Sequence, residues 1–250
     1  MEFAKDKLEW IEFDLLNPYS HIIQRVFLRH GGTSQHHFSS LNAGNNVGDH
    51  PDNVKVNRNL IRNDMNIPRI VYAEQNHGIE VAHITADTIH TLVKADALYT
   101  TMHNVGLAIT HADCQAVFFY DPKQEVIAAA HCGWRGNVKN IFYPLIDAMK
   151  RSLKTDPNDL IACVSPSLCP EHAEFKNFKE EFPEEFWSYQ VKPNHFDLWA
   201  ITQKQLNGCG ILDKNIEFAR ICTFCEKKDY FSHRREKKTG RHASVIAITI

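Results

Sequence analysis

The run HADCQAVFFYDPKQEVIAAAHCGWRG, residues 111–136, sets a cysteine after an acid, then two apolar segments, then a histidine against a Gly-Trp-Arg-Gly turn. Cys114 and His131 are residue types that serve as nucleophile and base, as metal ligands, or simply as packing. The thiolate is the reactive form of cysteine, so an imidazole able to take the thiol proton would make a Cys-His nucleophile. Adding His77, in the stretch EQNHG, gives two imidazoles and one thiolate. That is the three-ligand set of a catalytic zinc site, which keeps its fourth position open. As packing, a cysteine at the end of a buried strand is a small hydrophobe. Spacing alone leaves all three readings open, because ligands drawn from separate strand ends have no fixed interval.

The elements that must position these residues are short. Ala116 to Tyr120 and Val126 to Ala130 read as buried strands, and DPKQE between them reads as a hairpin connection. Antiparallel pairing of the two would bring Cys114 and His131 to the same end. Arg69 to Gln75 and Gly78 to Ile84 read as strands around an Asn76-His77-Gly78 turn, and Gly106 to Thr110, Ile216 to Cys222, Asp229 to His233 and Ala243 to Ile248 as further strands. In NVKNIFYPLIDAMKRSL, Val138, Ile141, Phe142, Leu145, Ile146 and Met149 form a helical stripe that Pro144 is expected to kink or cut short. Leu198 to Leu206 reads as a helix ended by the glycines of NGCGI, and HAEFKNFKEEFPEEFWSYQ as a helix resting on the core through Phe175, Phe178, Phe182 and Phe186. In DNVKVNRNLIRNDM the stripe of Val54, Ile61 and Met65 also carries Arg58. A guanidinium on a core-facing stripe requires an acid, backbone carbonyls or a bound anion. Strands and helices mixed without a regular βαβ rhythm indicate an α+β fold.

Composition narrows the function classes. A chain of 250 residues that is 43% hydrophobic can bury a substantial core, and we read residues 1–250 as one domain. A net charge of −2 gives no polybasic footprint, which argues against nucleic acid or an anionic membrane surface as partner. Seven cysteines, an odd number without a dense framework, fit reduced thiols. The start, MEFAKDKLEWIEFD, lacks the basic and apolar regions of a secretory signal, and no apolar run reaches the ~20 residues needed to span a bilayer. A cytoplasmic protein is the expectation.

Taken together, VFLRHGGTS, SLNAGNNVGD, NVKVNRNL, YAEQNHG, ADALYT, HADCQAVFFYD, AAHCGWRG and FSHRREKKTGRHASVI resemble the YfiH-type family from about Val26 onward. Members of that family have been labelled polyphenol oxidases or laccase-domain proteins, and are described as purine nucleoside phosphorylases with adenosine deaminase activity. The resemblance implies a layered α/β/β/α sandwich and a zinc site on His77, Cys114 and His131. Copper is the less favoured ion, since the further ligands that electron transfer to oxygen needs are not assignable. It implies Arg58 as a catalytic residue and Arg29, Asn42 and Gln75 as pocket-wall residues. The implied partners are a small nucleoside and phosphate: adenosine, inosine, guanosine or methylthioadenosine would be split to base and (methylthio)ribose 1-phosphate, and adenosine would be hydrolytically deaminated to inosine. Oligomeric state is not readable.

Other residues in the matching stretches have structural readings. Gly31, Gly32, Gly133 and Gly136 read as turn glycines, Trp134 as a core anchor, and Asp113 as orienting a ligand or capping a turn. Arg234, Arg235 and Arg241 read as holding a sheet edge, with anion binding the alternative, and His30, His36, His37 and His111 as extra imidazoles near a mouth. Cys132 either adds a thiol beside the proposed ligand or points into the core on the opposite strand face. The chain departs from the family in VSPSLCPEHAEF, where Ser165 replaces a glycine and His172-Ala173 stands near an expected Tyr-Glu pair, altering one pocket wall. Two other function classes stay in view: a hydrolase editing peptidoglycan precursors with Cys114 as nucleophile and His131 as base, and a non-catalytic binding protein stabilised by metal.

Overall fold

Alternation along the two central strands decides the architecture. The computed structural model describes residues 7–250; Met1 to Asp6, the start of the stretch read as lacking a secretory signal, lie outside the described residues. Strands β7 (Gln115–Asp121) and β8 (Val126–Cys132) pair antiparallel, with Ala116 opposite His131 and Tyr120 opposite Ile127. Every second residue therefore faces one way. Ala116, Phe118, Tyr120, Ile127 and Ala129 meet a second sheet, while Val117, Phe119, Val126, Ala128, Ala130 and Cys132 meet helices. Strands buried on both faces read as continuous apolar runs, which is why these segments carry so little polar material.

Six strands make the first sheet, in the order β12 (Ile216–Phe218), β9 (Ile161–Val164), β7, β8, β5 (Ala97–Thr100) and β4 (Val81–His83). Five make the second: β1 (Trp10–Ile11), β2 (Ile22–Phe27), β13 (His242–Ile248), β6 (Val105–His111) and β3 (Arg69–Tyr72). Their inner faces share one core, in which Val26, Leu107, Ile109 and Ile246 meet Leu98, Phe118 and Ile127. Outside the first sheet lie α3 (Phe142–Leu153), through Phe142, Leu145, Ile146 and Met149, and α5 (Leu198–Gly208), through Leu206. Outside the second lies α1 (Pro51–Asp64), whose Ile61 packs beside Met65 on Phe27 and Val245. The layers run α/β/β/α, as the family resemblance implied.

Several elements differ from the sequence expectation for local reasons. The break near Pro144 falls earlier: α2 (Trp134–Lys139) stops at Asn140, which takes a left-handed φ of 53°, and Pro144 sits in the first turn of α3, where its missing N–H costs nothing. The aromatic stretch is not one helix. It is extended at Phe182 before Pro183, leaving only α4 (Phe178–Glu181) and a 3-10 turn over Glu184–Tyr189, followed by a small hairpin of β10 (Gln190–Lys192) and β11 (His195–Phe196). Its phenylalanines still bury themselves, with Phe175, Phe182 and Phe186 packing around Phe196. Asp229 to His233 is not a strand but leads into α6 (His233–Glu236). The strands read over Arg69 to Gln75, Gly78 to Ile84 and Ile216 to Cys222 shrink to β3, β4 and β12; moreover β3 and β4 lie in different sheets, so the His77 turn is a crossover between layers. Among the described residues no helix is long and apolar enough to cross a membrane.

Candidate active site

The β7–β8 pairing does what the sequence suggested: it brings the chain before Gln115 and the end of β8 to one edge. There the ligand-capable atoms of His77, Cys114 and His131 lie within 4.8 Å of one another, and the two imidazole rings stand edge to face with centroids 4.8 Å apart. Two backbone conformations uncommon for residues with a Cβ frame the group, at His77 (φ 60°) and at Asp113 (φ 86°), next to Cys114. Hydrogen bonds hold both. Asp113 accepts from the Thr223 hydroxyl at 2.7 Å and the Arg234 N–H at 2.6 Å, so it caps a turn at the wall of the smaller of two cavities beside the group.

The residue that organises the site is Asp96, in the motif ADALYT. Its side chain is fully buried, and its carboxylate accepts the backbone N–H groups of Asn76, His77 and Gly78 at 3.1, 3.0 and 2.8 Å. The same carboxylate bonds Nδ1 of His131 at 2.8 Å. This fixes the imidazole and leaves its Nε2 for a metal or a proton, the arrangement common behind metal-bound histidines. Burial alone would raise the Asp96 pKa, but the His131 hydrogen bond and the backbone N–H groups outweigh it and hold the carboxyl below its ordinary range. At Cys114, burial pushes the thiol up, and the neighbouring His131 and His77 bring it down to about 6. At His131, burial pushes the imidazole down, and the Cys114 thiolate and Asp96 carry it up to about 9. The two shifts are reciprocal, each group favouring the charged form of the other. Two imidazoles and a thiolate in one cluster, one ring anchored by a carboxylate, form a donor set that fits zinc.

Gly133 was read as a turn glycine, but its φ of −83° suits any residue. What it provides is space: a Cβ there would stand 2.8 Å from Cys114 Sγ and 3.4 Å from the His77 ring. Gly31, with φ 80°, does meet the turn expectation, and Gly136 lies inside α2. Cys132 points to the helix side of the sheet and not to the site, and burial holds its thiol well above the ordinary value.

Two cavities meet at this group, sharing His77, Ala112, Cys114 and His233 as wall residues. The larger, about 640 Å³, is lined also by Arg58, Tyr72, Gln75, His111, His131 and Arg241. Arg58 projects from α1 with Nε on the Ala43 carbonyl at 2.9 Å and its guanidinium carbon 4.0 Å from the Tyr72 ring centre, which explains its place on an inward stripe. Burial lowers its pKa, though a guanidinium stays charged at any physiological pH. The buried Tyr72 hydroxyl has no hydrogen-bond partner among the described residues. Gln75 spends its amide on Thr110, accepting from its N–H and donating to its carbonyl, both at 2.8 Å. The smaller cavity, about 320 Å³, is more apolar, with Trp134, Leu168, Phe175 and Leu198 beside Arg135 and Arg234. Trp134, read as a core anchor, therefore also forms cavity wall.

Other expected pocket residues lie elsewhere. Asn42 is fully buried, and its amide bonds Gly44, Asp49 and the Arg241 N–H, so it builds the loop behind the cavity. Arg29 lines neither cavity. It donates to the Ser39 and Lys227 carbonyls, pairs with Glu236 at 3.5 Å and lies over Phe231. Arg235 is committed to the carbonyls of Thr223, Phe224 and Tyr230. His30 pairs with Asp229, and His36 and His37 are exposed away from the site. His111, by contrast, does reach the wall of the larger cavity, buried with Nε2 on Ser244, and Ser165 extends the ladder between β7 and β9 by accepting the Ala116 N–H.

Sequence reasoning missed Asp96, although its motif was noticed, because a buried carboxylate inside an apolar run looks the same whether it caps a loop or ionises. It missed Asn57, beside Arg58, whose amide ties α1 to the 33–42 loop through Thr33, Ser34, Ser40 and Asn42. It also missed a second group of sulfur and imidazole donors, Cys169, His172, Cys222 and Cys225, for which the spacings Cys-x2-His and Cys-x2-Cys were an available signal.

Residues 24–249 match the family model described as multi-copper polyphenol oxidoreductase laccase. The chain is 31% identical to a protein named purine nucleoside phosphorylase from Bacteroides thetaiotaomicron, over 99% of each chain, and 31% identical to purine nucleoside phosphorylase YlmD of Bacillus subtilis, over 91% of this chain and 88% of that one. Among solved structures it superposes on the hypothetical protein YfiH of Bacillus licheniformis with TM-score 0.88 at 27% identity, covering 98% of both, and on YlmD of Geobacillus stearothermophilus with TM-score 0.85 at 28% identity, covering 93% of this chain and 94% of that one. Agreement of fold, of motif order and of sequence over nearly the full length places the chain in the YfiH-type family, the one described as multi-copper polyphenol oxidoreductase laccase.

Proposed function

We propose that the chain is a zinc-dependent purine nucleoside phosphorylase. On this reading phosphate attacks the ribose C1′ of adenosine, inosine, guanosine or methylthioadenosine. The C1′–N9 bond breaks, and the products are the (methylthio)ribose 1-phosphate and a purine that takes up a proton. Hydrolytic deamination of adenosine to inosine is a second activity of the same site. The observation that carries the reading is the junction of two unlike cavities at His77 and Cys114: a larger, more polar one with Arg58 and Arg241, and a smaller, more apolar one whose aromatic walls, Trp134 and Phe175, stand beside Arg135 and Arg234. An anionic co-substrate suits the first, and a flat base suits the second. The relatives named purine nucleoside phosphorylase add support, since the match spans most of their length.

His77, Cys114 and His131 would hold the zinc, which when bound supplies Lewis acidity and an activated water. Asp96 keeps His131 turned and the His77 loop closed against it. Arg58, braced by Ala43 and Tyr72, positions phosphate, and the unpartnered Tyr72 hydroxyl offers a further polar contact in the same wall. Seven free cysteines fit a reducing, cytoplasmic setting. The test is chromatography of zinc-loaded protein incubated with adenosine, with and without phosphate, beside Cys114→Ala. Phosphate-dependent adenine, or phosphate-independent inosine, absent from the variant, is the expected result. No product from zinc-loaded protein with adenosine, inosine, guanosine or methylthioadenosine would overturn the reading.

A second reading has its own observation. Cys114 poised as a thiolate, His131 beside it and Asp96 behind His131 at 2.8 Å form the chain of a Cys-His-Asp nucleophile, as a hydrolase editing peptidoglycan precursors would need. It requires turnover in metal-free protein. Activity that disappears on chelation and returns with zinc excludes it.

A further inference from the structure

Away from the junction of the two cavities, the stretch that departs from the family pattern, SLCPEHAEF, turns back so that Cys169 and His172 face the Cys222-Thr-Phe-Cys225 turn. The three sulfurs of Cys169, Cys225 and Cys222 stand 3.2, 3.5 and 3.8 Å from Nδ1 of His172. A thiolate and an imidazole sharing one tetrahedral zinc, at bond lengths of ~2.3 and ~2.05 Å, are separated by about 3.6 Å. The observed distances bracket that edge, and all four ligand atoms lie within 4.8 Å of one another.

The surroundings suit a metal. Each pair sits on its own tight turn, closed by His172 N–H to Cys169 O at 3.0 Å and by Glu226 N–H to Cys222 O at 3.0 Å. The Cys169 N–H donates to Cys222 Sγ at 3.4 Å, a contact that stabilises a thiolate. Phe224 stacks on the His172 ring at 4.0 Å and 19°, fixing its plane. Cys169 and Cys222 are buried, Cys225 is exposed, and all three are free thiols. Apolar residues would fill such a corner without bringing three thiols onto one nitrogen.

We propose that Cys169, His172, Cys222 and Cys225 form a second, structural zinc site with all four positions supplied by protein. The three-sulfur, one-nitrogen set and tetrahedral spacing select zinc over harder ions. Its position gives it a task. Ser167 and Cys222 form a bridge between the two segments, Thr223 bonds Asp113 beside Cys114, and Leu168 lines the aromatic cavity. The ion pins the wall of that cavity to the turn that holds Asp113. This holds whatever reaction occurs at His77, Cys114 and His131.

The test is elemental analysis of the full chain purified under reducing conditions without a polyhistidine tag. The expected content is two zinc ions per chain in the wild type, one in Cys114→Ala, one in Cys225→Ser and none in the double variant. Because Cys225→Ser can unfold the corner, the Cys114→Ala chain with all four donors intact is also loaded with cobalt(II) alone. Intense visible bands of a tetrahedral ion, with strong thiolate charge transfer in the near ultraviolet, are expected. One zinc in the wild type that Cys114→Ala abolishes, iron or copper in its place at the cluster, or a disulfide among Cys169, Cys222 and Cys225 in metal-free protein would each overturn the proposal.

Discussion

At His77, Cys114 and His131 three donors come from three separate points of the fold and face two cavities. At Cys169, His172, Cys222 and Cys225 four donors come from two short turns and face one another. The first group depends on long-range architecture: the register of β7 on β8 and a carboxylate from the start of β5 fix its geometry. The second depends on local turns, so its geometry is nearly complete once two four-residue segments, 169–172 and 222–225, meet. Three ligands leave room for a reactant, whereas four leave none. On the roles proposed above, the contrast teaches that access, more than the identity of the donors, would separate a reacting centre from a fastening.

The largest break in that comparison is expected from Cys114→Ala. If the proposed zinc acts there, losing its catalytic contribution of several kcal/mol should lower turnover on the order of 10³-fold, read as product formed per unit time beside a melting curve. The melting temperature should fall little. Loss of the fold, with activity per folded molecule intact, would make the open group the fastening instead. Arg58→Ala comes next: removing a charge-assisted contact of ~1.5–3 kcal/mol lowers kcat/KM for phosphate by roughly 10- to 100-fold, while metal content at both groups is unchanged. A variant with wild-type phosphate dependence would remove Arg58 from the site.

Asp96→Asn sharpens the distinction between the groups. It should weaken zinc at His77, Cys114 and His131 by roughly 10- to 100-fold, measured by competition with a chromophoric chelator, and leave the four-donor group untouched. Equal weakening at both would mean that Asp96 supports the fold at large. Gly133→Ala should cost about 1–3 kcal/mol through the crowding of Cys114 Sγ, seen as a lower unfolding midpoint and weaker zinc at the open group only.

Smallest at the sites themselves is the effect of acid. His242 is fully buried, accepting the Phe231 N–H on Nε2 at 2.7 Å with Nδ1 on the Phe27 carbonyl at 3.0 Å. Burial brings its pKa down to about 3, so the neutral imidazole is the folded form. A depressed pKa in the folded state contributes stability that is present above the unfolded value of ~6.5 and is lost as pH falls toward 3, by up to about 1.4 kcal/mol per unit. Unfolding midpoints of metal-loaded protein should decline over that window, and His242→Gln should flatten the decline. An equally steep fall in the variant would assign the acid limit to other groups.

The open group was legible because its residues sit in unusual company: a thiol and an imidazole at the ends of two apolar runs, joined by a hairpin turn, can only be placed together one way. Arg58 was legible for the same reason, as a charge on an apolar stripe. Asn42 and Arg29 share motifs with the site but do not line its cavities, since proximity in sequence says nothing about which side of a loop a side chain takes. The aromatic stretch failed as a helix because helical spacing of phenylalanines was weighed above Pro183, whose restriction on Phe182 is purely local. The four-donor group escaped notice because its halves are about fifty residues apart and one lies inside a segment read only as a departure from a pattern.

The β7–β8 hairpin keeps Cys114 and His131 at one end and its connection at the other, where Lys123, Gln124 and Glu125 are exposed. Seven paired positions, six steps of ~3.4 Å, put that connection about 20 Å from the candidate site. Its register is held from both sides, β9 bonding β7 and β5 bonding β8, so the turn itself carries little of the alignment. For protein engineering this makes Lys123–Gln124 the natural point to splice in a reporter domain or a surface anchor: the insert rides on the far tip of a braced lever.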